Sequence, residues 1–158
     1  MSFRKKNSQG VYVLALKVGY SINITTSRFK WVLKPGTYFY FGSARGKTST
    51  SLEKRLFRHF HYQKSIFWHI DYLTSHSKTK ILNAYFTTDP MITECQALRE
   101  FVQKFHEIKV IPKFGSSDCK LKCGGHLLSV SSNQDILAEY SQYFSHSNWN
   151  EFKFESEY

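Results

Sequence analysis

The first strongly patterned stretch of the chain is apolar on both faces. From Gly10 it reads Gly-Val-Tyr-Val-Leu-Ala-Leu-Lys-Val, which is rich in the β-branched and aromatic residues that favour strands. Because side chains alternate along a strand, Val11 and Val13 lie on one face, and Tyr12 and Leu14 lie on the other. Apolar residues on both faces are typical of a buried strand, so the pattern predicts a central strand of a sheet.

Alternation and helical spacing divide the remainder of the chain between strands and helices. Strands are predicted at 21–26, 29–33, 38–41, 80–87 and 126–130, and helices at 52–62, 66–76, 92–105 and 135–144. Asp89-Pro90 is a start signal for the third helix. Residues 1–9 are a basic lead-in expected to be flexible, and 148–158 are a C-terminal tail to which the pattern assigns no element. The pattern therefore predicts a single α+β domain over 10–147.

The predicted helix at 52–62 has two different sides. The apolar side holds Leu52, Leu56, Phe57 and Phe60, and the polar side holds Arg55, Arg58, His59 and Tyr62. Arg55 and His59 are one turn apart, so both can reach one ligand. A guanidinium matches phosphate oxygens, and a histidine transfers protons near neutral pH. The alternative is that this side is a solvated basic helix face.

The segment before this helix has the chemistry to bind a phosphate. A short aromatic strand ends at Gly42 and is followed by hydroxyl-bearing and basic residues. A glycine lets a phosphate approach the backbone closely, and basic side chains supply charge. We therefore expect Gly42 to leave room for a phosphate. The residues expected to contact a nucleic-acid backbone are Gly42, Ser43, Arg45, Lys47 and Arg58.

The charge of the chain favours a polyanionic partner. Its 158 residues include 22 lysine and arginine residues against 12 acidic ones, which gives a net charge of +10. Basic side chains that displace phosphate counterions add affinity for any nucleic acid. A hydrophobic content of 41% and an aromatic content of 17% indicate a folded domain rather than a disordered arm. Since no apolar run reaches the roughly 20 residues of a membrane helix and no signal peptide is recognisable, we expect a cytoplasmic protein.

Two tyrosines and one glutamate are further candidates for a site. Tyr12 and Tyr40 each lie two positions from a glycine, so paired strands would place both phenols on one side beside an accessible backbone. The alternative is that aromatic residues simply fill strands. Glu94 falls at the edge of the apolar stripe of the helix predicted at 92–105. A carboxylate there suits a hard divalent ion such as Mg²⁺, or alternatively complements the positive end of the helix.

The order of these motifs resembles the GIY-YIG nuclease domain. The matching residues are Gly10-Val11-Tyr12, Tyr40-Phe41-Gly42-Ser43-Ala44, the helical run 52–60 and Glu94. More narrowly, residues 35–44, 68–73, 94–95 and 114–119 are similar to an uncharacterised branch of that superfamily, whose members stand alone or are joined to endonuclease III. The resemblance covers roughly residues 10–130, and the joint order of the motifs is more specific than any one of them.

The resemblance implies a small mixed or antiparallel sheet flanked by helices, and metal-dependent hydrolysis of a phosphodiester bond in DNA. By carry-over, Glu94 would hold Mg²⁺ or Mn²⁺, and Arg55 would stabilise the charge on the reacting phosphate. Tyr12 would activate or position the attacking water, and Tyr40 would orient the substrate or share that role. His59 would accept a proton.

One departure from the family pattern affects the arginine. The loop at 45–51 separates Gly42 from Arg55 more than is usual, so Arg58 is the rival for the same role. The sequence therefore predicts a metal-dependent DNA endonuclease or structure-selective DNA-processing enzyme. The alternative is a non-catalytic nucleic-acid-binding module on the same fold, which uses Arg55, Arg58 and the basic surface.

A second group of residues has the ligand types of a zinc site. Cys119, Cys123 and His126 lie close together in sequence, and Cys95 or Asp118 would be the fourth ligand. Members of the family that the chain resembles place these cysteines closer together, so the resemblance favours free thiols in a glycine-bearing loop over a structural Zn²⁺. The odd cysteine count fits a reducing compartment. A metal-stabilised protein-interaction domain centred on this group is a third hypothesis. The alternative for His126, His69 and Asp71 is a place around the active site, but structural hydrogen bonds are the expected role of each.

Overall fold

The computed structural model describes residues 8–116, 119–130, 134–145 and 148–154. In chain order its elements are β1 (Gly10–Val18), β2 (Ile22–Thr25), β3 (Lys30–Leu33), β4 (Gly36–Ala44), α1 (Leu52–Phe60), α2 (Asp71–Thr74), β5 (Thr79–Thr87), α3 (Glu94–Lys104), β6 (Lys109–Ile111), β7 (Leu127–Val130), α4 (Gln134–Ser145) and β8 (Asn150–Phe152). The predicted α+β class is confirmed. None of these described helices is long enough to cross a membrane.

The main sheet is built around β1, as the two apolar faces of this strand predict. Six described strands follow the order β6-β7-β4-β1-β5-β8. β1 pairs antiparallel with β4 along its whole length, from Gly10 opposite Ala44 to Val18 opposite Gly36. On its other side β1 pairs antiparallel with β5. Strands β2 and β3 form a separate antiparallel pair.

The sheet separates two apolar layers. On one face Tyr12 and Leu14 pack in a cluster with residues of α1, α2 and the β2–β3 pair. On the other face Val11 and Val13 pack in a cluster with residues of α3 and α4. The large aromatic residues of this second cluster are Phe39, Phe41, Phe101, Tyr140 and Phe144. The predicted alternation of β1 therefore places its two sets of side chains in different cores.

The start of α3 differs from its prediction. The helix begins at Glu94, after Thr93, whose hydroxyl oxygen accepts a hydrogen bond from the Gln96 N–H at 3.2 Å. The predicted signal at Asp89 instead serves a local turn, because this carboxylate accepts a hydrogen bond from the Met91 N–H at 2.9 Å. A side chain of this type caps a turn as readily as a helix. The shift makes Glu94 the first residue of the helix.

The helix predicted at 66–76 is reduced to α2. The N–H groups of Phe67 and Trp68 both donate to the carboxylate of Asp71 at 2.9 Å, so the preceding segment is held in a turn. Two strands, β6 and β8, were not predicted, because three residues are too few to show a period.

Strand β8 gives structure to part of the predicted tail. It pairs antiparallel with β5, and Phe152 packs 5.8 Å from the Phe60 ring, between centroids. Phe154 stacks on the same ring at 4.8 Å. At the other end of the chain, the prediction of a flexible lead-in falls mainly on residues 1–7, which lie outside the described residues. The Ser8 N–H donates to the carboxylate of Glu53.

Truncation of Phe101 tests the second core. This ring is fully buried, and its centroid lies 5.1 Å from that of Phe39. We expect Phe101→Ala to lower the free energy of unfolding by about 3–5 kcal/mol, because it leaves a cavity. Phe67→Ala is the matched control, since Phe67 is 77% exposed and should change stability by less than about 0.5 kcal/mol. Urea unfolding of both variants makes the comparison, and equal stabilities would contradict the described packing.

Candidate active site

Two buried tyrosines lie side by side on one face of the sheet. Tyr12 is on β1 and Tyr40 is on the neighbouring β4, and their ring centroids are 6.3 Å apart. Both belong to the cluster that packs beneath α1. The alternation and pairing of the strands therefore bring the two phenols together, as expected from the sequence.

Gly42 provides the space that the Tyr12 ring occupies. It lies directly opposite Tyr12 in the β1–β4 pair. A β-carbon built on Gly42 would lie 2.4 Å from Cζ and 2.5 Å from the hydroxyl oxygen of Tyr12, well inside van der Waals contact. The prediction that Gly42 leaves room for a phosphate is therefore wrong in this structure. The residue is buried, and the space beside it is filled by the phenol.

His59 completes a buried hydrogen-bonded pair with Tyr12. Its Nε2 lies 2.8 Å from the Tyr12 hydroxyl, and the imidazole is almost fully buried. The alternative of a solvated helix face is wrong for this residue, because His59 continues the buried stripe of Leu52 and Leu56 one turn further along α1. Phe57, which was assigned to the apolar side, is 45% exposed instead.

The histidine of this pair is held neutral. Burial, together with the positive charges of Lys64, Arg58 and Arg55, lowers the pKa of His59 to about 3. The Nδ1 atom is buried and has no hydrogen-bond partner in the described part of the chain. At neutral pH the imidazole is therefore uncharged.

Both phenols are held in the protonated form. Burial raises the pKa of Tyr12, the charge of Arg55 opposes this shift, and the charge of Glu94 adds to it. Burial also raises the pKa of Tyr40 well above its ordinary value, and the charges of Tyr12 and Glu94 act in the same direction. The charges of two predicted site residues, Arg55 and Glu94, thus act on both phenols.

Arg55 is fixed between the strands and a tryptophan. Its guanidinium donates a hydrogen bond to the Ser43 carbonyl and lies 4.5 Å above the centre of the Trp68 ring. Its Nε is buried and has no hydrogen-bond partner among the described residues. Trp68 was not predicted as a site residue, although it lies in a motif on which the family resemblance rests.

Arg58 has a different set of contacts from Arg55. One of its nitrogen atoms lies 2.7 Å from the fully buried carboxylate of Asp71 and 2.7 Å from the Ser65 carbonyl oxygen. Arg58 is therefore engaged in holding the α1–α2 connection, and Arg55 is the arginine whose charge acts on both tyrosines. Asp71 has the structural hydrogen bonds expected of it.

Glu94 stands at the edge of the site as a half-buried carboxylate. Within the described residues it forms no salt bridge. A half-buried carboxylate is a ligand that Mg²⁺ accepts, because this ion binds through one or two carboxylates and completes its shell with water and phosphate oxygens. The residues present therefore fit the divalent ion that the sequence predicts at Glu94.

The predicted phosphate-binding residues are divided between the site and the surface. Ser43 is half-buried, and its carbonyl oxygen accepts the hydrogen bond from Arg55. Arg45 and Lys47 are exposed in the loop between β4 and α1. They lie on the chain segment that leads from Gly42 to Arg55, so both are available to a polyanion that reaches the site.

Gly115, in the loop between β6 and β7, lies against Tyr40 and is held by His69. Gly115 has a φ of +69°, and a β-carbon there would lie 2.9 Å from Cε2 of Tyr40. The Gly115 N–H donates to Nδ1 of His69 at 2.9 Å, which is the structural hydrogen bond expected of that histidine. A glycine at this position thus permits both the backbone conformation and the close approach to the phenol.

The cysteines lie beside Glu94 in space. Sγ of Cys95, Cys119 and Cys123 and a ring nitrogen of His126 all lie within 4.8 Å of one another. Cys95 and Cys123 form a disulfide, so the prediction that these thiols are free is wrong for two of the three cysteines. Of the two candidates for the fourth ligand, Cys95 lies in this cluster. Asp118, the other candidate, lies outside the described residues.

A cleft on the other face of the sheet has an unsuitable charge for binding a phosphate. It has a volume of about 780 Å³ and lies between β5, α4 and β8. Its described lining includes Glu139 and Glu151 and no basic side chain. Two carboxylates repel an anion, so the cleft does not compete with the Tyr12 region as a phosphate site.

Substitution of Gly42 tests the fit between this glycine and Tyr12. Gly42→Ala places a methyl group where the phenol lies, so we expect a loss of about 1–3 kcal/mol in the free energy of unfolding and a displaced Tyr12 ring. Urea unfolding and a crystal structure of the variant measure these effects. Gly19→Ala is the control, because a β-carbon there would lie 3.5 Å from the Lys78 carbonyl oxygen, which is ordinary van der Waals contact. Unchanged stability of Gly42→Ala would contradict the contact.

Acid titration of stability tests the burial of neutral His59. The unfolded histidine binds a proton below pH about 6.5, whereas the folded one, with a pKa of about 3, does not, so stability falls as the pH drops through this window. Between pH 7 and 5 this loss amounts to about 2 kcal/mol. In His59→Gln, which does not titrate, we expect that part of the pH dependence to disappear in urea unfolding. An identical pH dependence in both proteins would contradict a buried neutral imidazole.

Comparison with known families places the chain in one of them. The family model described as "Domain of unknown function DUF123" matches residues 11–149. Comparisons with curated proteins and with solved structures find no match. The matched range includes β1, β4, α1 and α3, and thus all of Tyr12, Tyr40, His59 and Glu94. The chain belongs to the DUF123 family.

Proposed function

We propose that this chain is a metal-dependent DNA endonuclease of the GIY-YIG type, which hydrolyses a phosphodiester bond. The observation that carries the proposal is the buried pair of Tyr12 and His59, at 2.8 Å, beside Arg55 and Glu94. A proton-transfer pair, a fixed cation and a carboxylate are the groups that phosphodiester hydrolysis requires. The motif order and the pairing of the two tyrosine strands support assignment to that superfamily.

Tyr12 and His59 form the proton path of the proposed reaction. As the water oxygen attacks phosphorus, its proton passes to the Tyr12 oxygen, and the Tyr12 proton passes to Nε2 of His59. The bond from phosphorus to the 3′ oxygen breaks, and that oxygen takes a proton from solvent, leaving a 5′-phosphate and a 3′-hydroxyl. Both groups are uncharged before the reaction, as this transfer requires, but the raised pKa of Tyr12 and the lowered pKa of His59 oppose it in the absence of substrate.

Substrate binding makes His59 a stronger base. The positive charges of Lys64, Arg58 and Arg55 add to the effect of burial in lowering the pKa of His59. A phosphate bound at Arg55 brings negative charge to the same neighbourhood and offsets part of this effect. The imidazole thus gains proton affinity when the substrate is present.

Arg55 and Glu94 are the half-exposed members of the site, so an incoming phosphate reaches them before the buried phenols. The Arg55 guanidinium is held by Ser43 and Trp68 and therefore presents a fixed positive charge to the reacting phosphate. Glu94 is the residue that would hold Mg²⁺ or Mn²⁺, and the bound ion would supply Lewis-acid stabilisation of the phosphate charge. Tyr40 is placed to orient a phosphate oxygen through its hydroxyl.

Exposed aromatic residues near Arg58 favour a nucleic acid as the polyanion. Phe67 is 77% exposed and lies edge-on to Trp68, with ring centroids 4.9 Å apart, and Tyr62 is 55% exposed. Exposed rings stack on unpaired bases, and the neighbouring cations bind the backbone. This arrangement supports a substrate with single-stranded or branched character over a plain duplex.

Replacement of the predicted metal ligand tests the enzyme proposal. We expect Glu94→Gln to reduce Mg²⁺-dependent cleavage of branched, flapped or damaged DNA by at least about 100-fold, because the divalent ion loses its carboxylate. DNA binding should change much less. The measurement is a single-turnover assay on labelled branched, flapped, damaged and plain duplex substrates, with and without EDTA.

Glu100→Gln is the matched control for this assay, because Glu100 is an exposed glutamate on the same helix. It should cleave like the wild type. Salt-sensitive DNA binding by the wild type, with cleavage of none of these substrates, would overturn the enzyme proposal in favour of the non-catalytic binding module. Cleavage that is equally fast in Glu94→Gln would overturn the role of Glu94.

A further inference from the structure

Three sulfur atoms and one imidazole nitrogen converge at the start of α3. Sγ of Cys119 lies 3.3 Å from Sγ of Cys95 and 3.4 Å from Sγ of Cys123. Nε2 of His126 lies 3.5 Å from Sγ of Cys95. Cys95 and His126 are buried, and the other two are half-buried. The cluster is thus closed on the side of the sheet and open toward the surface.

These three separations lie within about 0.5 Å of the edges of a tetrahedral zinc site, and the sulfurs of Cys95 and Cys123 separate when their disulfide is reduced. Bonds of about 2.3 Å from zinc to sulfur and about 2.0 Å from zinc to nitrogen place neighbouring sulfurs about 3.8 Å apart, and sulfur about 3.5 Å from nitrogen. Three thiolates and one imidazole are also a ligand set that selects zinc among the common divalent ions. We propose that Cys95, Cys119, Cys123 and His126 bind one zinc ion when the cysteines are reduced.

A disulfide alone explains only part of this arrangement. The bond between Cys95 and Cys123 accounts for two sulfurs but gives no reason for Cys119 and His126 to approach them so closely. Zinc binding uses all four side chains. After a thiol or phosphine reductant has converted the disulfide to two thiols, zinc replaces the thiol protons, which pass to solvent.

The surroundings of the cluster suit the charge of the complex. Zinc with three thiolates and a neutral imidazole carries a net negative charge. Lys120 and Lys122 lie in the same loop, and Arg99 reaches from α3 to donate to the Leu121 carbonyl at 3.4 Å. Cations around an anionic metal complex stabilise it.

Backbone hydrogen bonds hold the loop that carries Cys119, Cys123 and His126. The His126 N–H donates to the Phe114 carbonyl at 2.7 Å, and the Cys119 N–H donates to the Ser116 carbonyl at 3.0 Å. Gly124, with a φ of +87°, permits the turn that follows Cys123. Cys119, Cys123 and His126 therefore lie on a segment that has its own backbone hydrogen bonds, and Cys95 lies on α3.

Zinc at this position would connect the loop to the candidate active site. Cys95 directly follows Glu94, and the His126 carbonyl accepts a hydrogen bond from the Phe41 N–H at 3.0 Å, next to Tyr40. The ion would fix the start of α3 against the strand that carries Tyr40. The zinc site itself does not rest on the nuclease proposal.

The metal content of the full chain tests the site. The protein is purified with zinc present and under a phosphine reductant, and its zinc is measured by mass spectrometry. We expect about one zinc per chain, and on exchange with Co²⁺ the visible absorption of a tetrahedral thiolate complex. Reduced wild-type protein without zinc, or without the tetrahedral cobalt spectrum, overturns the proposal.

Two variants separate the four-ligand site from the disulfide. Cys119→Ser keeps both disulfide cysteines, and His126→Asn keeps all three cysteines. We expect each to bind zinc at least about tenfold more weakly than the wild type in a chelator competition. His106→Asn is the control, because His106 is exposed and is not one of the four clustered residues. Zinc binding by Cys119→Ser equal to that of the wild type overturns the proposal, and if either variant fails to fold, the wild-type cobalt spectrum decides.

The result is distinguishable from a failure of the nuclease proposal. Glu94→Gln should retain about one zinc per chain even where cleavage is lost, since Glu94 is not among the four ligands. A zinc-loaded wild type that cleaves no DNA would support the zinc site and reject the enzyme.

Discussion

The pairing of β1 with β4 is the constraint on which the candidate site depends. With Tyr12 opposite Gly42, the phenol lies flat across a position that has no side chain. A shift of this pairing by one residue would turn Tyr12 to the opposite face and away from His59. The long antiparallel ladder, with apolar side chains on both faces, makes such a shift costly. The register therefore fixes both the fold and the position of the phenols.

Tyr12 and His59 are both kept uncharged, although the protein as a whole carries a high positive charge. A histidine on the surface of a protein with a net charge of +10 would still titrate near neutral pH, but burial against Tyr12 removes that behaviour from His59. Arg55 stays charged and is held by a carbonyl and an aromatic ring. The site thus combines a fixed cation with neutral groups that exchange protons, which is an arrangement suited to an anionic substrate.

Much of this architecture was predictable because it depends on local pattern. The two faces of β1, the stripe of α3 and the carboxylate at Glu94 follow from spacing in the sequence alone. The burial of His59 and the exposure of Phe57 did not follow, because the side of α1 that faces the sheet depends on the partner that Tyr12 offers to His59, which the spacing of α1 does not show. A three-residue strand has too little pattern to be detected before the sheet that recruits it is known.

The sequence by itself determined the class of fold, the central strand and the identity of the candidate residues, since these depend on side-chain type and period. Only the tertiary structure decided which partners those residues have. It placed Gly42 against Tyr12 rather than beside open space, and it joined Arg58 to Asp71, leaving Arg55 near the phenols. It also brought Cys95 to a loop 24 or more residues away. Such contacts arise from packing between distant segments, on which local spacing carries no information.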